Sequence, residues 1–368
     1  MILERLSCEN FRNLEAEEYR FHPSVNLVVG MNGQGKTNLL EAIYFLATTK
    51  SFRTAKTQSL VRFGQAYLFV NGDVERLGVT QTLSAGVDPA ESRRVLTINA
   101  ERVALARYLQ SMAVVAYSSS RLEIIRGGPE ERRRFLDRGI ASVEPGYLER
   151  LNRFQRAFKQ RNALLHAIAA HQARASELDA WDEEFLLAAI PVSAARADYT
   201  TRISALLEAT LGRYRYHVTG ITLRYLPGGE ATGDPGAWRR RLAEVKRHEL
   251  RSRMTLVGPQ RDNVAFEVDG RPAAEVLSGG ELKTIVLFLK FARLEHFRQE
   301  SGEAAVFVLD DIDAELDVNI LAAVLQNLPQ ATQLFATSAK HAVISELETA
   351  PHRRFTMHAG RAVEVSEH

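Results

Sequence analysis

Gly30-Met31-Asn32-Gly33-Gln34-Gly35-Lys36-Thr37 matches G-x-x-x-x-G-K-[ST], a loop that wraps backbone amides around nucleotide phosphates. The apolar run Val25 to Val29 before it predicts a buried strand. Leu39, Leu40, Ile43, Tyr44 and Ala47 after it recur at helical spacing. Glycine at 30, 33 and 35 lets the main chain turn and approach an anion where a side chain would clash. A helix starting near Lys36 points free N–H groups and a positive dipole end at that anion. Lys36 is placed to reach the β- and γ-phosphates, and the Thr37 hydroxyl to ligate magnesium. A glycine-rich turn that merely precedes a helix would explain the glycines. It would not put the strand, the lysine and the threonine in register.

Far downstream, the apolar run Ala304 to Leu309 ends in Asp310-Asp311. A carboxylate at the end of a buried strand is a usual way to hold magnesium beside such a loop, so Asp310 is the candidate metal partner. Asp311, one residue on, could orient or deprotonate an attacking water. Two aspartates after a strand also suit a turn or a helix cap, and only the upstream phosphate loop weighs against that reading.

Leu277-Ser278-Gly279-Gly280-Glu281 lies shortly before that strand. Ser278 with Glu281 would form a helix capping box, which by itself needs no paired glycines. Gly279 and Gly280 cost helix propensity while exposing amides to an anion. The segment resembles the signature motif of ABC-type ATPases, which implies that Ser278, Gly279 and Gly280 close over nucleotide held by a second subunit. Glu315-Leu316-Asp317 resembles the next motif of that superfamily, at the same dimer seam. The resemblance implies an ATP-dependent homodimer with two-fold symmetry.

The chain is 45% hydrophobic and 25% charged, enough to bury a core, and it has no apolar run of about eighteen residues to span a bilayer. Its first residues lack the basic-then-apolar pattern of a signal peptide. One cysteine, Cys8, rules out an internal disulfide framework and suits a reducing cytoplasm. It is expected to pack in the first strand as a small apolar residue. The 10 histidines are scattered, and no solenoid-type repeat is visible.

Lys36 and Asp310 stand far apart, and the chain between them changes character. From about Glu144 to Ala209 it is rich in Ala, Leu, Arg and Glu at helical periods, broken at Pro191 and loosened around His171 to Glu177. That predicts paired helices of modest length, too short for the long coiled-coil arms of chromosome-organising ATPases. Tyr214 to Tyr225 alternates like a strand, Pro227 through Gly236 reads as an exposed loop, and Arg239 to Arg253 as a basic helix. The expectation is an α/β, ABC-type ATPase head, a mixed sheet with flanking helices, carrying an inserted, mainly helical second lobe. We place the head at 1–140 and 251–368 and the lobe at 141–250.

Net charge is only +2, but Arg121 to Arg261 holds 25 Lys and Arg against 17 Asp and Glu. Arg132-Arg133-Arg134 and Arg239-Arg240-Arg241 are the densest spots. Such a surplus is a footprint expected for a nucleic-acid backbone. It equally describes a solvated arginine-rich helix face paired with Glu130, Glu131, Glu244 and Glu249. No base-reading module is visible, so any binding should follow backbone and shape.

Nearly the whole chain resembles the RecF family of bacterial recombination ATPases. The likeness runs through Asn10-Phe11-Arg12-Asn13, Asn32 to Tyr44 and Lys50-Ser51-Phe52-Arg53-Thr54. It resumes at Gly128-Pro129, Arg132 to Asp137 and Gln160 to Leu165, and closes with Val257-Gly258-Pro259, Arg261-Asp262, Asp310-Asp311 and Glu315-Leu316-Asp317. It implies an ATP- and magnesium-dependent weak ATPase that dimerises on double-stranded and gapped DNA. It also implies action with RecO and RecR in helping RecA onto gaps, with no membrane partner. Gly30 to Thr37 and Asn38 would then line the nucleotide, with Arg12 near its base or ribose. Ser119-Ser120-Arg121 stands where the family has Pro-Glu-Asp, and Gln260 replaces a usual histidine. Thr337-Ser338 stands where transporters place a histidine and RecF proteins often have threonine. Two alternatives stay open: a paralogue outside the mediator pathway, and a nucleotide-gated clamp that hardly hydrolyses, since Asp311 is shorter than the usual glutamate.

Overall fold

Continuous and alternating apolar runs build different sheets in this chain. The computed structural model describes residues 1–91, 93–118, 122–214, 216–230, 233–311, 328–329, 331–338 and 351–367. Two units emerge from the packing: Met1–Arg121 with Gly279–His368, and Leu122–Ser278. The second is wider than the 141–250 drawn from composition, because the helix at 129–143 and the strand at 263–268 pack with the helical lobe.

In the first unit, an antiparallel sheet has the order β2-β1-β4-β5-β6-β7. Its strands are β1 (Ile2–Glu9), β2 (Glu18–Arg20), β4 (Leu68–Arg76), β5 (Val79–Asp88), β6 (Arg93–Ile98) and β7 (Glu101–Arg102). Burial alternates along β4, as expected of a sheet with one covered face. In β1 the register shifts between Leu3 and Arg5, and this bulge lets Leu3 and Leu6 both reach the core although three positions apart. Cys8 is buried in the same strand as expected, its thiol pushed up by burial.

The second sheet has the order β15-β14-β3-β13-β12-β8. Its strands are β3 (Val25–Val29), β8 (Val114–Ser118), β12 (Val306–Asp310), β13 (Leu334–Ser338), β14 (His352–His358) and β15 (Arg361–Glu367). All pairings are parallel except β14–β15. β12 and β13 are buried at every position, the mark of parallel strands covered on both faces. Helix α1 (Lys36–Thr48) packs against strands of both sheets through Leu39, Leu40, Ile43 and Phe45. β3, β13 and β12 are adjacent and parallel, so their carboxyl ends lie side by side.

The second unit holds helices α2 (Pro129–Val143), α3 (Tyr147–Ala169), α4 (Leu178–Arg213) and α5 (Pro235–Ser252). A three-stranded sheet of order β11-β10-β9 joins β11 (Arg271–Pro272), β10 (Asn263–Val268) and β9 (Ile221–Leu226). Helix α6 (Gly279–Ser301) returns to the first unit. Three expectations are corrected here. Pro191 does not break the chain: α4 runs through it for 36 residues, about 54 Å. Pro191 and Leu187 both lie on the exposed face, where the carbonyl left unbonded meets water, while Phe185, Leu186, Ala189 and Val192 bury the other face. Tyr214 to Tyr225 is strand only from Ile221, because α4 continues to Arg213. The loop after Pro227 is partly packed. A Cβ at Gly229 would lie 2.2 Å from the Trp238 ring, and one at Gly228 2.4 Å from the Gly258 carbonyl.

Ion pairs rather than apolar contacts alone fix this unit. Arg161, fully buried, donates to Asp182 (2.8 Å), Glu249 (2.6 Å) and Thr255 (2.9 Å). Arg196 donates to Asp137 (2.9 Å), Asp262 (2.9 Å) and the Pro259 carbonyl (2.7 Å). Tyr147 completes the shell on Asp137 at 2.6 Å.

Candidate functional site

The phosphate-loop pattern lands where its spacing predicts. β3 ends at Val29, the loop follows, and α1 starts at Lys36. Gly30 has φ of 140°, and a Cβ there would stand 2.6 Å from the Met357 carbonyl oxygen. Gly35, the residue before the helix, has φ of 105°, a region side chains avoid. Met31, Asn32 and Gly33 form the exposed crest, with Met31 79% exposed. Lys36 is buried, and its Nζ donates to the carbonyls of Gly30 (2.7 Å) and Met31 (3.0 Å). The ammonium is held inside the loop by backbone oxygens and ties the loop's first peptide units to the start of α1.

Asp310 ends β12 and is 3% exposed. Its Oδ1 accepts the Thr37 hydroxyl at 2.9 Å and the Thr337 hydroxyl at 2.8 Å. Asp310 and Thr337 stand at the carboxyl ends of neighbouring parallel strands and Thr37 in the first turn of α1, and the two hydroxyls meet on one Asp310 oxygen. Burial pushes the Asp310 carboxyl up to about 6, with the Asp311 charge adding to it while the Thr337 and Thr37 hydrogen bonds oppose it. A desolvated carboxylate beside a hydroxyl favours a hard cation, and these oxygen donors suit magnesium rather than zinc. Among the described residues no group of three or more His, Cys, Asp and Glu could hold a metal.

Asp311, just past the strand end, has φ of 52°, in the left-handed region. Its N–H donates to Thr337 Oγ1 at 2.8 Å, the same hydroxyl that donates to Asp310. Thr337 therefore joins both aspartates, a role that its place in the sequence did not reveal.

Arg12, with φ of 51°, is bidentate to Glu41: Nε to Oε2 2.7 Å and Nη2 to Oε1 2.9 Å. Glu41 is fully buried on α1, also accepts from Ser51, and lies 3.5 Å from Arg53. The sequence reading passed over Glu41. A carboxylate inside an apolar helix is itself a signal, because it demands a cationic partner. Asn38 donates to Asn13 Oδ1 at 2.7 Å and accepts from Arg53 at 2.9 Å, tying the first strand's loop to the start of α1.

Ser278, Gly279 and Gly280 are exposed, and a Cβ at either glycine would meet nothing within 4 Å. Packing within this chain therefore does not require glycine there. Glu315-Leu316-Asp317 and Ser119-Ser120-Arg121 lie outside the described residues.

The arginine triplets divide by burial. Arg132 donates to the carbonyls of Ile124 (3.2 Å) and Ile125 (2.7 Å), and Arg133 to that of Asp262 (3.0 Å). Arg134 pairs with Glu130 and Glu131, Arg241 with Glu244 and Arg239 with Glu183. Glu249, expected on that exposed face, instead bonds buried Arg161. Much of the local positive charge is thus neutralised by local partners. No helix among the described residues is long and apolar enough to cross a membrane.

Comparison with known proteins agrees over the full length. Residues 2–360 match the model of the RecF/RecN/SMC N terminal domain. A DNA replication and repair protein RecF from Lactobacillus delbrueckii subsp. bulgaricus is 31% identical over 375 residues, covering 100% of this chain and 98% of the relative. One from Symbiobacterium thermophilum is 35% identical over 381 residues, covering 99% and 98%. A solved structure of the recombination mediator protein RecF-ATP in the RecFOR pathway superposes with a TM-score of 0.88 at 26% identity, covering 100% of this chain and 97% of that one. An Smc head bound to the C-winged helix domain of ScpA shares the fold, with a TM-score of 0.57 at 15% identity and coverage of 100% and 98%.

Proposed function

The chain belongs to the RecF branch of the RecF/RecN/SMC family, and we propose that it is an ATP-binding DNA replication and repair protein acting as a recombination mediator. The observation that carries the nucleotide chemistry is the meeting of Thr37 and Thr337 on Asp310 beside the buried Lys36. Gly30 to Thr37, with Asn38, wrap the phosphates, and Lys36 leaves its carbonyl partners for the β- and γ-phosphate oxygens. Thr37 and Asp310 would hold magnesium, which would supply positive charge to neutralise the phosphate oxygens. Asp311, fixed through its N–H to Thr337, positions water on the far side of the γ-phosphate. Its short side chain holds that water loosely, so turnover is slow. Arg12 acts through Glu41, shaping the start of α1, rather than as a sole contact to base or ribose.

Ser278, Gly279 and Gly280 complete the site of a second copy, so ATP joins two chains head to tail. Two open glycines at the start of a long helix are suited to a phosphate brought by a partner. The dimer holds double-stranded or gapped DNA through the backbone and works with RecO and RecR to bring RecA to gaps. Support for DNA binding comes from the family rather than from the arginine triplets, several of whose members are already paired.

Fluorescence anisotropy of a labelled gapped duplex, titrated in ATP and in ADP across a salt series, tests the whole reading. Tighter binding in ATP with a steep salt slope is expected, while nucleotide-blind weak binding defeats the repair assignment. Lys36→Ala should weaken nucleotide binding by at least about 100-fold, since it removes the charge-assisted contacts to phosphate. Ser278→Arg should keep ATP affinity and lose ATP-driven dimerisation in sedimentation velocity. A normal dimer from that variant would refute the trans assignment.

A further inference from the structure

We propose that the turn between β14 and β15, at Ala359-Gly360, is a positioning element for the phosphate loop that fixes the direction of one of its amides. This rests on the nucleotide reading above and adds a part of the site that none of its motifs contains.

The turn touches the loop at three places. Gly360 N–H donates to the Gln34 carbonyl at 2.9 Å, and Ala359 N–H to the Gln34 side-chain Oε1 at 2.6 Å. A Cβ on Gly35 would come within 3.2 Å of Gly360 Cα, and one on Gly30 within 2.6 Å of the Met357 carbonyl oxygen. The outer wall of the loop is therefore the backbone of this hairpin, from Met357 to Gly360. The hairpin is held in turn by β14, which pairs in parallel with β3, the strand leading into the loop. Glu15 N–H also donates to the Gly360 carbonyl at 3.0 Å.

A trans peptide unit points its C=O and its N–H to opposite sides. With the Gln34 carbonyl drawn to the hairpin, the N–H of Gly35 in that same peptide unit must face away from it. Such a loop binds phosphate through N–H groups of this kind, and each must be turned before the ligand arrives. Lys36 Nζ does the corresponding work on the inner side, holding the carbonyls of Gly30 and Met31. Two clamps, one ammonium and one hairpin, thus hold the peptide planes on either side of the loop.

The positions in the turn are chemically constrained in the way this role needs. Gly360 has φ of 86°, and a Cβ there would fall 2.0 Å from the Asn13 carbonyl oxygen, so only glycine lets the N–H approach Gln34. Ala359 has φ of 48° and is exposed, the conformation that the first position of a two-residue hairpin turn takes, and its N–H reaches Gln34 from there.

The test uses the full-length protein and three variants, with mant-ATP and mant-ADP binding, steady-state hydrolysis and thermal unfolding. Gln34→Ala removes the side-chain acceptor and leaves the backbone intact. Both nucleotides should bind about 3- to 10-fold more weakly, as loss of one hydrogen bond predicts, and KM should rise in step while Tm holds within about 2 °C. Gly360→Ala should give the larger loss of affinity. Ala359→Gly keeps both donors and suits the left-handed turn, so it should bind nucleotide as the unaltered chain does. Unchanged affinity and KM in Gln34→Ala would overturn the proposal. So would a fall in Tm and kcat with KM unmoved, the pattern of a merely structural contact. A failure of the unaltered protein to bind mant-ATP at all would instead strike the nucleotide reading itself, and with it the premise of this one.

Discussion

The two units carry equally legible motifs and use them in opposite ways. In the first, Met31 to Gly33 face solvent, and Gly279 and Gly280 sit in open space. Lys36 and Asp310 are buried, but their partners, the loop carbonyls for Lys36 and the Thr37 hydroxyl for Asp310, are ones a ligand could replace. In the second, residues from motifs of the same family resemblance are taken up by protein partners: buried Arg161 and Asp262 and half-buried Asp137 belong to ion-paired networks with Arg196, Glu249 and Asp182. A repeated motif is therefore not by itself a ligand site. Burial together with complete satisfaction by protein partners marks a residue that holds the fold. Burial with partners that a ligand could replace marks one that does chemistry.

Three measurements would break or sharpen that contrast. The largest effect is expected from Arg196→Ala, which removes the cation hydrogen-bonded to both Asp137 and Asp262. It should cost about 3–5 kcal/mol of stability by urea unfolding, with ATP affinity of the folded protein held within twofold. A loss under about 1 kcal/mol would mean that the lobe's network is not what fixes it.

Asp310→Asn should act in the other direction. In the free protein the Asp310 carboxyl is raised from 3.8 to about 6, so the folded state binds its proton more tightly than the unfolded state. Ionisation then costs stability, beginning as pH rises through about 4 and reaching its full value above about 6. Removing the charge should stabilise the chain by roughly 1–3 kcal/mol at pH 7–8, in chelator and without nucleotide, and by little below pH 4. The same variant should lose magnesium-dependent ATP binding. A pH-independent effect would show that burial is not what perturbs this carboxylate.

The smallest effect is expected from Arg134→Ala, which removes exposed pairs with Glu130 and Glu131. Stability should change by less than about 1 kcal/mol. DNA affinity should also hold within about twofold at moderate salt, because that charge is already matched locally. A marked drop in DNA affinity would return the triplet to the nucleic-acid surface.

Much of the first unit was readable without coordinates. The strand, loop and helix of residues 25–48 follow from spacing over a few neighbouring positions, and so does the strand that ends at Asp310. The second unit was read less well. Composition predicted helices, yet Pro191 looked like a break because local propensity says nothing of the Phe185, Leu186, Ala189 and Val192 contacts that outweigh it. Glu249 was assigned to a surface face because helical periodicity does not reveal that Arg161 lies buried across from it.

The amino-acid order by itself determined the phosphate loop, the aspartate after the second core strand, the glycines of the signature segment and the family. Each is encoded in residue type and short-range spacing, which backbone geometry converts directly into local structure. The tertiary structure alone decided which arginines are already neutralised, that Thr337 joins both aspartates, and that the 359–360 turn walls the loop. The relations that build the site link residues hundreds of positions apart, such as Thr37 with Asp310 and Gln34 with Ala359. They arise only when parallel strand ends are brought side by side and water is expelled from between them.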